Sequence, residues 1–379
     1  MFEQRFISKL ATKNHMLQPL ALGSFQNWVR LLHTNKHIDS RFIGKAIYVS
    51  LVSLLTGPMR VYQRLRFRST FENVRIRRAP IFILGHWRSG TTHLHNLLSR
   101  DRRFGYVSSL QVIAPDLFYV AGKPFKALLR LGTPENRLID NMKWSIDGPQ
   151  EEEMALGNMT PYSLYHWWSF PQNAKQYFDR YAIFKEVTSE EIKIWKEKYL
   201  EVIKTATFNM NGRRLVIKNP ANTGRISVLL EMFPRAKFVF LHRNPYQVFL
   251  STRNLYKRTL PYSQLQEISD EEIDTNILTF YKDMIQRYLH DREMIPPGNL
   301  IEIGYDELDL HPMVVMRRIY HKLNFWPFAR AKGRFRRYLK SQEGYQKNSY
   351  EISTTDIENV NRHWAFAFKE WDYPMRTAC

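Results

Sequence analysis

A short apolar run, followed by a glycine-bounded loop and a helical pattern, places the strongest constraint on the fold of this chain. Residues 80–84 read Pro-Ile-Phe-Ile-Leu, which suits a strand buried on both faces. Gly85 and Gly90 bound the loop that follows, and residues 91–98 have a helical pattern. The G-x-x-x-x-G spacing between a strand and a helix is typical of a loop that binds phosphate through backbone N–H groups.

Further strand and helix patterns predict the rest of the fold. Residues 214–218, 237–241 and 300–303 read as buried strands, and capping boxes at Thr188 and Ser269 open two amphipathic helices. Strands that alternate with helices are typical of a parallel sheet with crossover helices. We therefore predict an α/β fold: a parallel β-sheet like that of P-loop NTPases, flanked by helices and carrying helical elaborations.

Positive charge is concentrated at the N-terminus. The 379 residues include 56 basic and 36 acidic ones, a net charge of +20, and residues 1–80 hold fourteen of the basic and three of the acidic ones. Such an excess indicates an anionic partner. We predict a basic helical region over residues 1–78, on or beside the core, and one α/β domain over residues 79–379.

An apolar run at residues 46–55 leaves two interpretations open. It is about half the length that a membrane-spanning helix requires. It could form a buried helix or an interfacial helix lying on an acidic membrane leaflet, next to several arginines. The single cysteine, Cys379, excludes an intramolecular disulfide and suits a reducing compartment. We expect a cytoplasmic protein, with peripheral contact at the inner membrane face left open.

The loop departs from that of nucleotide triphosphatases. Thr91 stands where those enzymes carry lysine, and the cation lies inside the loop as Arg88. The strand at 237–241 is followed by His242 and Arg243 rather than by an acidic residue that would help to hold magnesium. An anion-binding loop without these groups suits a leaving group that needs no divalent ion, so we expect no metal site.

Three segments together resemble the sulfotransferase family. Gly-His-Trp-Arg-Ser-Gly-Thr-Thr at residues 85–92 resembles the 5′-phosphosulfate loop of that family, whose donor is 3′-phosphoadenosine 5′-phosphosulfate (PAPS). Residues 238–251 are similar to its 3′-phosphate motif, and residues 218–222 resemble its lysine-containing loop. The acidic stretch at 147–153 looks more like the broad bacterial-type branch than the small cytosolic phenol enzymes.

The resemblance implies roles for single residues. Arg243 and Ser251 would bind the 3′-phosphate of PAPS, and Lys218 would bridge the leaving and transferring oxygens. The donor's 5′-phosphosulfate end would be held by Gly85, Arg88, Ser89, Gly90, Thr91 and Thr92. Arg88 and Lys218 would be catalytic residues for an in-line, metal-independent transfer to an acceptor hydroxyl or amine, in which positioning and charge stabilisation dominate.

The general base is less clearly marked. Family members use a histidine or a glutamate, but Asn222 and Gln111 stand near those positions. The glutamates at 151–153 remain, and we select Glu152, although acidic residues also favour the first turn of a helix for structural reasons. The histidines near the loop are weaker candidates: His86, His93 and His95.

The sequence leaves several acceptors and two alternative functions open. The expected acceptor is a small molecule, lipid or glycan, with a lipid hydroxyl first, and no nucleic-acid partner is expected. The sequence leaves the oligomeric state undetermined. A basic segment at residues 347–349 either closes over the 3′-phosphate, as the resemblance implies, or forms a solvated basic face. The alternatives are a P-loop nucleotide kinase or NTPase, and a non-catalytic basic protein that binds membrane or nucleic acid.

Overall fold

A parallel five-stranded sheet forms the centre of the molecule. The computed structural model describes residues 18–120, 145–344 and 350–377, together with Gly122 and Ala127. The strands are β1 (Ile81–Leu84), β2 (Phe104–Gly105), β3 (Arg214–Lys218), β4 (Lys237–His242) and β5 (Leu300–Gly304), in the spatial order β2-β3-β1-β4-β5. Each neighbouring pair is parallel. The predicted α/β architecture and four of these strands are confirmed, whereas the two-residue strand β2 has no sequence pattern that predicts it.

Helices surround this sheet, and fifteen α-helices are present in the residues described. The first eight are α1 (Phe25–Asn35), α2 (Ile43–Leu55), α3 (Gly57–Glu72), α4 (Thr91–Leu98), α5 (Ser109–Ile113), α6 (Glu153–Met159), α7 (Ala174–Tyr181) and α8 (Ser189–Asn209). The other seven are α9 (Ile226–Met232), α10 (Pro245–Ser263), α11 (Asp270–Asp291), α12 (Tyr305–Leu310), α13 (Pro312–Lys322), α14 (Ala329–Lys340) and α15 (Thr354–Glu370). The two predicted capping boxes open α8 and α11 with both reciprocal hydrogen bonds present.

The sheet is covered on both faces because its side chains alternate in direction. Ile81 and Ile83 pack into a core with α4, α13 and α14, whereas Phe82 and Leu84 pack into a larger core on the opposite face. All four side chains of β1 are at most 1% exposed. A strand buried on both faces explains why residues 81–84 are uniformly apolar.

The N-terminal helices pack against the larger core. Trp28, Leu31 and Val49 belong to the same apolar cluster as Phe82. These helices and the sheet share one core, and a domain boundary at residue 78 stays a prediction from the sequence. Within the described residues, no single helix is long and apolar enough to cross a membrane. Ser40–Leu55 and Gly57–Glu72 reach the required length and apolar composition only when they are taken together, and the two helices meet at a bend of 42°.

The order of the strands brings the three predicted motifs together. β1 lies between β3 and β4, with Ile83 opposite Lys218 and Leu84 opposite Phe240. The segments that follow these three strands therefore leave the sheet side by side at its carboxyl edge, which is where open α/β sheets bind ligands. Residues far apart in the chain thus share one edge.

Candidate active site

The loop between β1 and α4 needs glycine at both ends. Gly85 has φ of +134° and Gly90 has φ of +89°, a region that favours glycine. A Cβ atom at Gly85 would overlap the carbonyl oxygen of Leu241, and one at Gly90 would overlap the ring of Tyr305. α4 then begins at Thr91 without a side-chain cap. The Thr91 and Thr92 amides at its start can therefore bind an anion, whereas the His93 N–H donates to the Gly90 carbonyl at 3.0 Å.

Two residues of the loop use their backbone groups within the protein. The Gly85 N–H donates to Thr223 Oγ1 at 2.8 Å, and the Ser89 N–H donates to the His86 carbonyl at 3.2 Å. The expectation that the Gly85 amide binds phosphate needs correction, because this N–H already has a partner in the Pro220–Gly224 turn. Gly85 instead permits the turn and the close approach of Leu241.

Two arginines and a serine form one cluster beside the loop. Arg88 Nε donates to Ser251 Oγ at 2.8 Å, and Arg243 Nη1 donates to the Arg88 carbonyl at 3.0 Å. Gln247 accepts from the Arg243 guanidinium, which also lies 4.3 Å from the centre of the Tyr305 ring. Ser251 lies two turns into α10, as predicted, so the two motifs meet at one place.

This cluster concentrates positive charge on two half-buried arginines, Arg88 and Arg243. Burial lowers the pKa of Arg243, and the neighbouring charge of Arg88 acts in the same direction. Two cations held this close favour an anion between them or beside them. Tyr350 OH lies 3.4 Å from Ser251 Oγ, so the C-terminal part of the chain reaches this cluster. The segment predicted at residues 347–349 lies outside the described residues.

Lys218 joins the end of β3 to the phosphate loop. Its Nζ donates to Thr92 Oγ1 at 3.3 Å and forms a short ion pair with Glu151. The Lys218 side chain is only 3% exposed, whereas that of Glu151 is 28% exposed. Thr92, Lys218 and the Glu151 carboxylate thus meet at the edge of the sheet. The sequence predicted that Thr92 and Lys218 lie at one site, but it did not predict the contact with Glu151.

Glu152, the base selected from the sequence, faces the interior. Its carboxylate accepts from Asn222 Nδ2 at 2.6 Å, from Tyr199 OH at 3.0 Å and from Asn219 Nδ2 at 3.2 Å. The side chain is fully buried, and this burial raises its pKa to about 7. The geometry favours Glu151 over Glu152 as the residue that contacts substrate, and a catalytic role of Glu152 stays a prediction.

Glu153, the third glutamate of the run, has a structural role. It forms a buried ion pair with Arg225 at 2.5 Å and accepts from Ser163 Oγ and Asn219 Nδ2. The charge of Arg225 is the main influence that keeps the pKa of Glu153 below its ordinary value, against the effect of burial. The three consecutive glutamates therefore hold the segment from Lys218 to Arg225, a function that the acidic run alone does not predict.

The histidines near the loop have separate environments. His86 is buried against Tyr281, and His95 Nε2 lies 3.2 Å from the Val216 carbonyl. Burial lowers the pKa of each to about 3, so both are neutral and weakly basic at neutral pH. The ring of His93 lies beside Tyr338, with 6.2 Å between centroids. The charge of Lys218 adds to the effect of burial in lowering the pKa of His95.

A cavity of about 570 Å³ opens next to Lys218 and Thr92. Its wall is formed by α4, by the segment at 145–150 and by α14. Besides Lys218, the cations that line it are Arg100, Arg102, Arg334 and Arg337. Among the lining residues in the described parts of the chain none is acidic, so the cavity is positively charged. Within the parts of the chain described, no three His, Cys, Asp or Glu side chains are grouped to hold a metal ion.

The structure is that of a P-loop-like α/β protein with a cationic cluster beside its loop, and comparisons give its family. The sulfotransferase family matches residues 80–327. The chain is 31% identical over 376 residues to the omega-hydroxy-beta-dihydromenaquinone-9 sulfotransferase Stf3 of Mycobacterium bovis, covering 98% of this chain and 96% of that protein. A sulfotransferase of the same description from Mycobacterium tuberculosis matches equally. The chain belongs to the sulfotransferase family.

Solved structures support the same fold. The sulfotransferase STF1 of Mycobacterium tuberculosis has a TM-score of 0.67 at 15% identity, covering 90% of this chain and 92% of that one. The sulfotransferase STF9 of Mycobacterium avium also has a TM-score of 0.67, at 19% identity and over 93% and 97% of the two chains. The resemblance to bacterial sulfotransferases is thereby confirmed, and the protein is an enzyme rather than a non-catalytic binder.

Proposed function

We propose that this enzyme transfers a sulfuryl group in line from PAPS to the hydroxyl of a lipid acceptor. The observation that carries the proposal is the cluster in which Arg243 contacts the Arg88 carbonyl while Arg88 contacts Ser251. A donor with phosphate groups at two positions needs two anion-binding sites at a fixed separation. The first turn of α4 offers one, and the Arg243 and Ser251 side chains offer the other.

The residues present fit such a donor. A Cβ atom at Gly90 would overlap the Tyr305 ring, so glycine lets this ring pack against the loop, where the Arg243 guanidinium lies over it. Arg88 and Arg243 are cations that match phosphate oxygens. When bound, PAPS supplies an activated sulfuryl group attached to a phosphate leaving group. This fit supports PAPS over a magnesium nucleotide, for which position 91 lacks lysine and β4 ends in His242.

Lys218 and Thr92 would stabilise the transfer. The ammonium group of Lys218 lies at the end of β3 next to the Thr92 hydroxyl, between the loop and the cavity. There it can balance negative charge that builds up on the oxygens of the leaving phosphate. A cation held in place by the sheet needs no rearrangement during the reaction, which is the main advantage of a preorganised site.

Glu151 is the proton acceptor in this proposal. The acceptor oxygen forms a bond to sulfur while the bond between sulfur and the oxygen of the leaving phosphate breaks. The proton of the acceptor hydroxyl passes to the Glu151 carboxylate. Glu151 is partly exposed and contacts Lys218, whereas Glu152 and Glu153 are enclosed by other partners. This assigns the base to the first of the three glutamates instead of the second.

The acceptor class is inferred from the relatives and from the cavity. The two mycobacterial relatives are named as sulfotransferases of omega-hydroxy-beta-dihydromenaquinone-9, a lipid whose name indicates a terminal hydroxyl. The polar, cationic cavity beside Lys218 suits the hydroxylated end of such a molecule rather than its hydrocarbon part. We further propose that the enzyme works in the cytoplasm, in keeping with its single cysteine.

Two measurements test the proposal. Thermal unfolding with adenosine 3′,5′-bisphosphate should shift to higher temperature, and ATP with magnesium should shift it less. Transfer of radiolabelled sulfate from PAPS should then be measured with an omega-hydroxylated isoprenoid quinone and with the same quinone lacking that hydroxyl. Label should enter only the hydroxylated compound. A larger shift with ATP and magnesium would contradict the donor, whereas equal labelling of both quinones would contradict the acceptor.

A further inference from the structure

The helices α2 and α3 expose most of their large apolar side chains and bury several polar ones. Eleven of the seventeen exposed large apolar side chains in the described residues fall between residues 25 and 65. They are Phe25, Val29, Ile43, Ile47, Leu51, Leu54, Leu55, Met59, Val61, Tyr62 and Leu65, which we call the apolar face. Such a concentration is unusual for a surface that meets water, and contiguous apolar patches mark interaction sites. The interpretation of residues 46–55 as a buried helix is wrong.

The inner side of the same helices carries hydrogen-bonding groups. Lys45 Nζ donates to the Pro261 carbonyl at 2.7 Å, and Arg60 Nη1 donates to the Ser53 carbonyl at 2.8 Å. Gln63 donates to the Pro115 carbonyl at 3.1 Å and accepts from the Tyr119 N–H at 2.9 Å. Lys45 and Gln63 thus bond to segments far from them in the chain, and these specific bonds fix this orientation of the helices. A helix that faced water would have the opposite arrangement.

Basic residues border the apolar face. Arg64, Arg66 and Arg68 are exposed in the middle of α3, before and after the exposed Leu65. Arg66 stacks on Phe67, Arg68 pairs with Glu72, and Arg64 lies 3.9 Å from the partly exposed Asp116. Residues 18–80 contain eleven Lys or Arg and two Asp or Glu, a net charge of +9. A positively charged border around an apolar surface is complementary to an anionic membrane surface.

The shape of the pair suits a position in the interface and not across the bilayer. α2 has 13 residues, which gives a length of about 20 Å, and a hydrocarbon core is about 30 Å thick. α3 departs from it by 42° after Thr56. Leu54, Leu55 and Met59 lie at this corner and are the part that would enter the bilayer first.

We propose that the apolar face of α1 to α3 docks the enzyme on an anionic lipid bilayer, with the corner around Leu55 inserted and the arginines of α3 at the headgroups. The docking surface adjoins the active site through one continuous segment. Gln63 of α3 holds the backbone at Pro115 and Tyr119, and this segment follows α5, whose Ser109 lines the cavity. A membrane-borne acceptor would thus reach the cavity from the docked side, a consequence that rests on the proposed function.

Vesicle co-sedimentation of the full chain tests the docking, without donor or acceptor. The wild type should bind vesicles that contain phosphatidylglycerol and bind pure phosphatidylcholine more weakly. Leu54→Asp with Leu55→Asp should weaken binding about ten-fold or more, since two exposed apolar side chains no longer enter the bilayer. Leu310→Asp is the matched control, because Leu310 is 71% exposed on α12 away from this face, and should bind as the wild type does.

The basic border is tested separately. Arg66→Gln should weaken binding to the anionic vesicles about five-fold and leave binding to phosphatidylcholine unchanged. Arg336→Gln, which removes an exposed arginine from α14, should have no effect. Unchanged binding of the Leu54 and Leu55 variant would overturn the proposal. So would light scattering that shows a stable dimer dissociated by this variant, because the face would then bind a second copy. Neither result would affect the assignment of sulfotransfer.

Discussion

The Arg243 guanidinium donates to the carbonyl oxygen of Arg88 at 3.0 Å. This bond joins the phosphate loop after β1 to the motif after β4, two segments separated by 155 residues in the chain. Because Arg88 in turn contacts Ser251, the anion-binding side chains form one connected group. Changes at Arg243 should therefore affect donor binding first and the rate only in consequence.

Arg243→Ala should weaken binding of adenosine 3′,5′-bisphosphate by roughly 10- to 150-fold, because hydrogen bonds to charged groups contribute about 1.5–3 kcal/mol. Isothermal titration calorimetry measures this directly. Arg235→Ala is the control, since Arg235 is exposed between α9 and β4. Equal affinity of wild type and Arg243→Ala would remove Arg243 from the 3′-phosphate site.

Glu151→Gln should lower kcat by about 100-fold or more while leaving bisphosphate affinity within a factor of three, because a general base acts on the acceptor. Lys218→Ala should lower kcat as well, through lost stabilisation of the leaving group. Steady-state kinetics combined with calorimetry separates the two effects. If Glu151→Gln keeps its full rate while Glu152→Gln loses it, the general base is Glu152, as the sequence predicts, and not Glu151.

Glu152 should make stability depend on pH. Burial raises the pKa of Glu152 to about 7 in the folded state, from its ordinary value of 4.5. Between these values the folded state binds a proton that the unfolded state has released, so the free energy of unfolding falls as pH rises, by up to about 1.4 kcal/mol per pH unit.

Urea denaturation at several pH values between 5 and 8 tests this dependence. Glu152→Gln, which resembles the protonated carboxyl, should remove this contribution and gain stability relative to the wild type at pH 8. Glu271→Gln provides an exposed control on α11 and should keep the wild-type profile. Identical profiles for wild type and Glu152→Gln would mean that the carboxylate is well solvated.

Gly90→Ala should destabilise the protein by several kcal/mol or prevent donor binding, because φ is +89° and a Cβ atom would overlap the Tyr305 ring. Gly212→Ala isolates the backbone contribution, since φ is +73° there but no atom lies within 4 Å of the added Cβ. Thermal unfolding of both variants separates strain from overlap. Equal losses at the two positions would mean that the Tyr305 contact is unimportant.

Sequence patterns correctly predicted the features that depend only on residues close together in the chain. The apolar strands, the capping boxes of α8 and α11 and the glycine-bounded loop all occur where their sequences indicate. The meeting of Lys218 with Thr92 followed from motif order, because parallel strands end at one edge.

Contacts between distant segments were beyond such patterns. Nothing in the acidic run at 151–153 specifies which carboxylate faces Lys218, since that depends on how the segment is oriented against β3. Arg225 and Thr223 lacked any signal, because their partners Glu153 and Gly85 are 72 and 138 residues away. The sequence also did not predict that Leu55 is exposed, because an apolar helix pattern does not specify which side of the helix packs against the protein.

Three successive glutamates bind three different groups: Glu151 pairs with Lys218, Glu152 accepts from Asn222, and Glu153 pairs with Arg225. A single-residue insertion or deletion just before this run would mismatch all three pairs at once. Natural variation in length should therefore be absent from this short stretch and tolerated in the exposed turn at Gly298. Loop grafting between related enzymes, intended to alter acceptor choice, should keep its junctions outside residues 149–153.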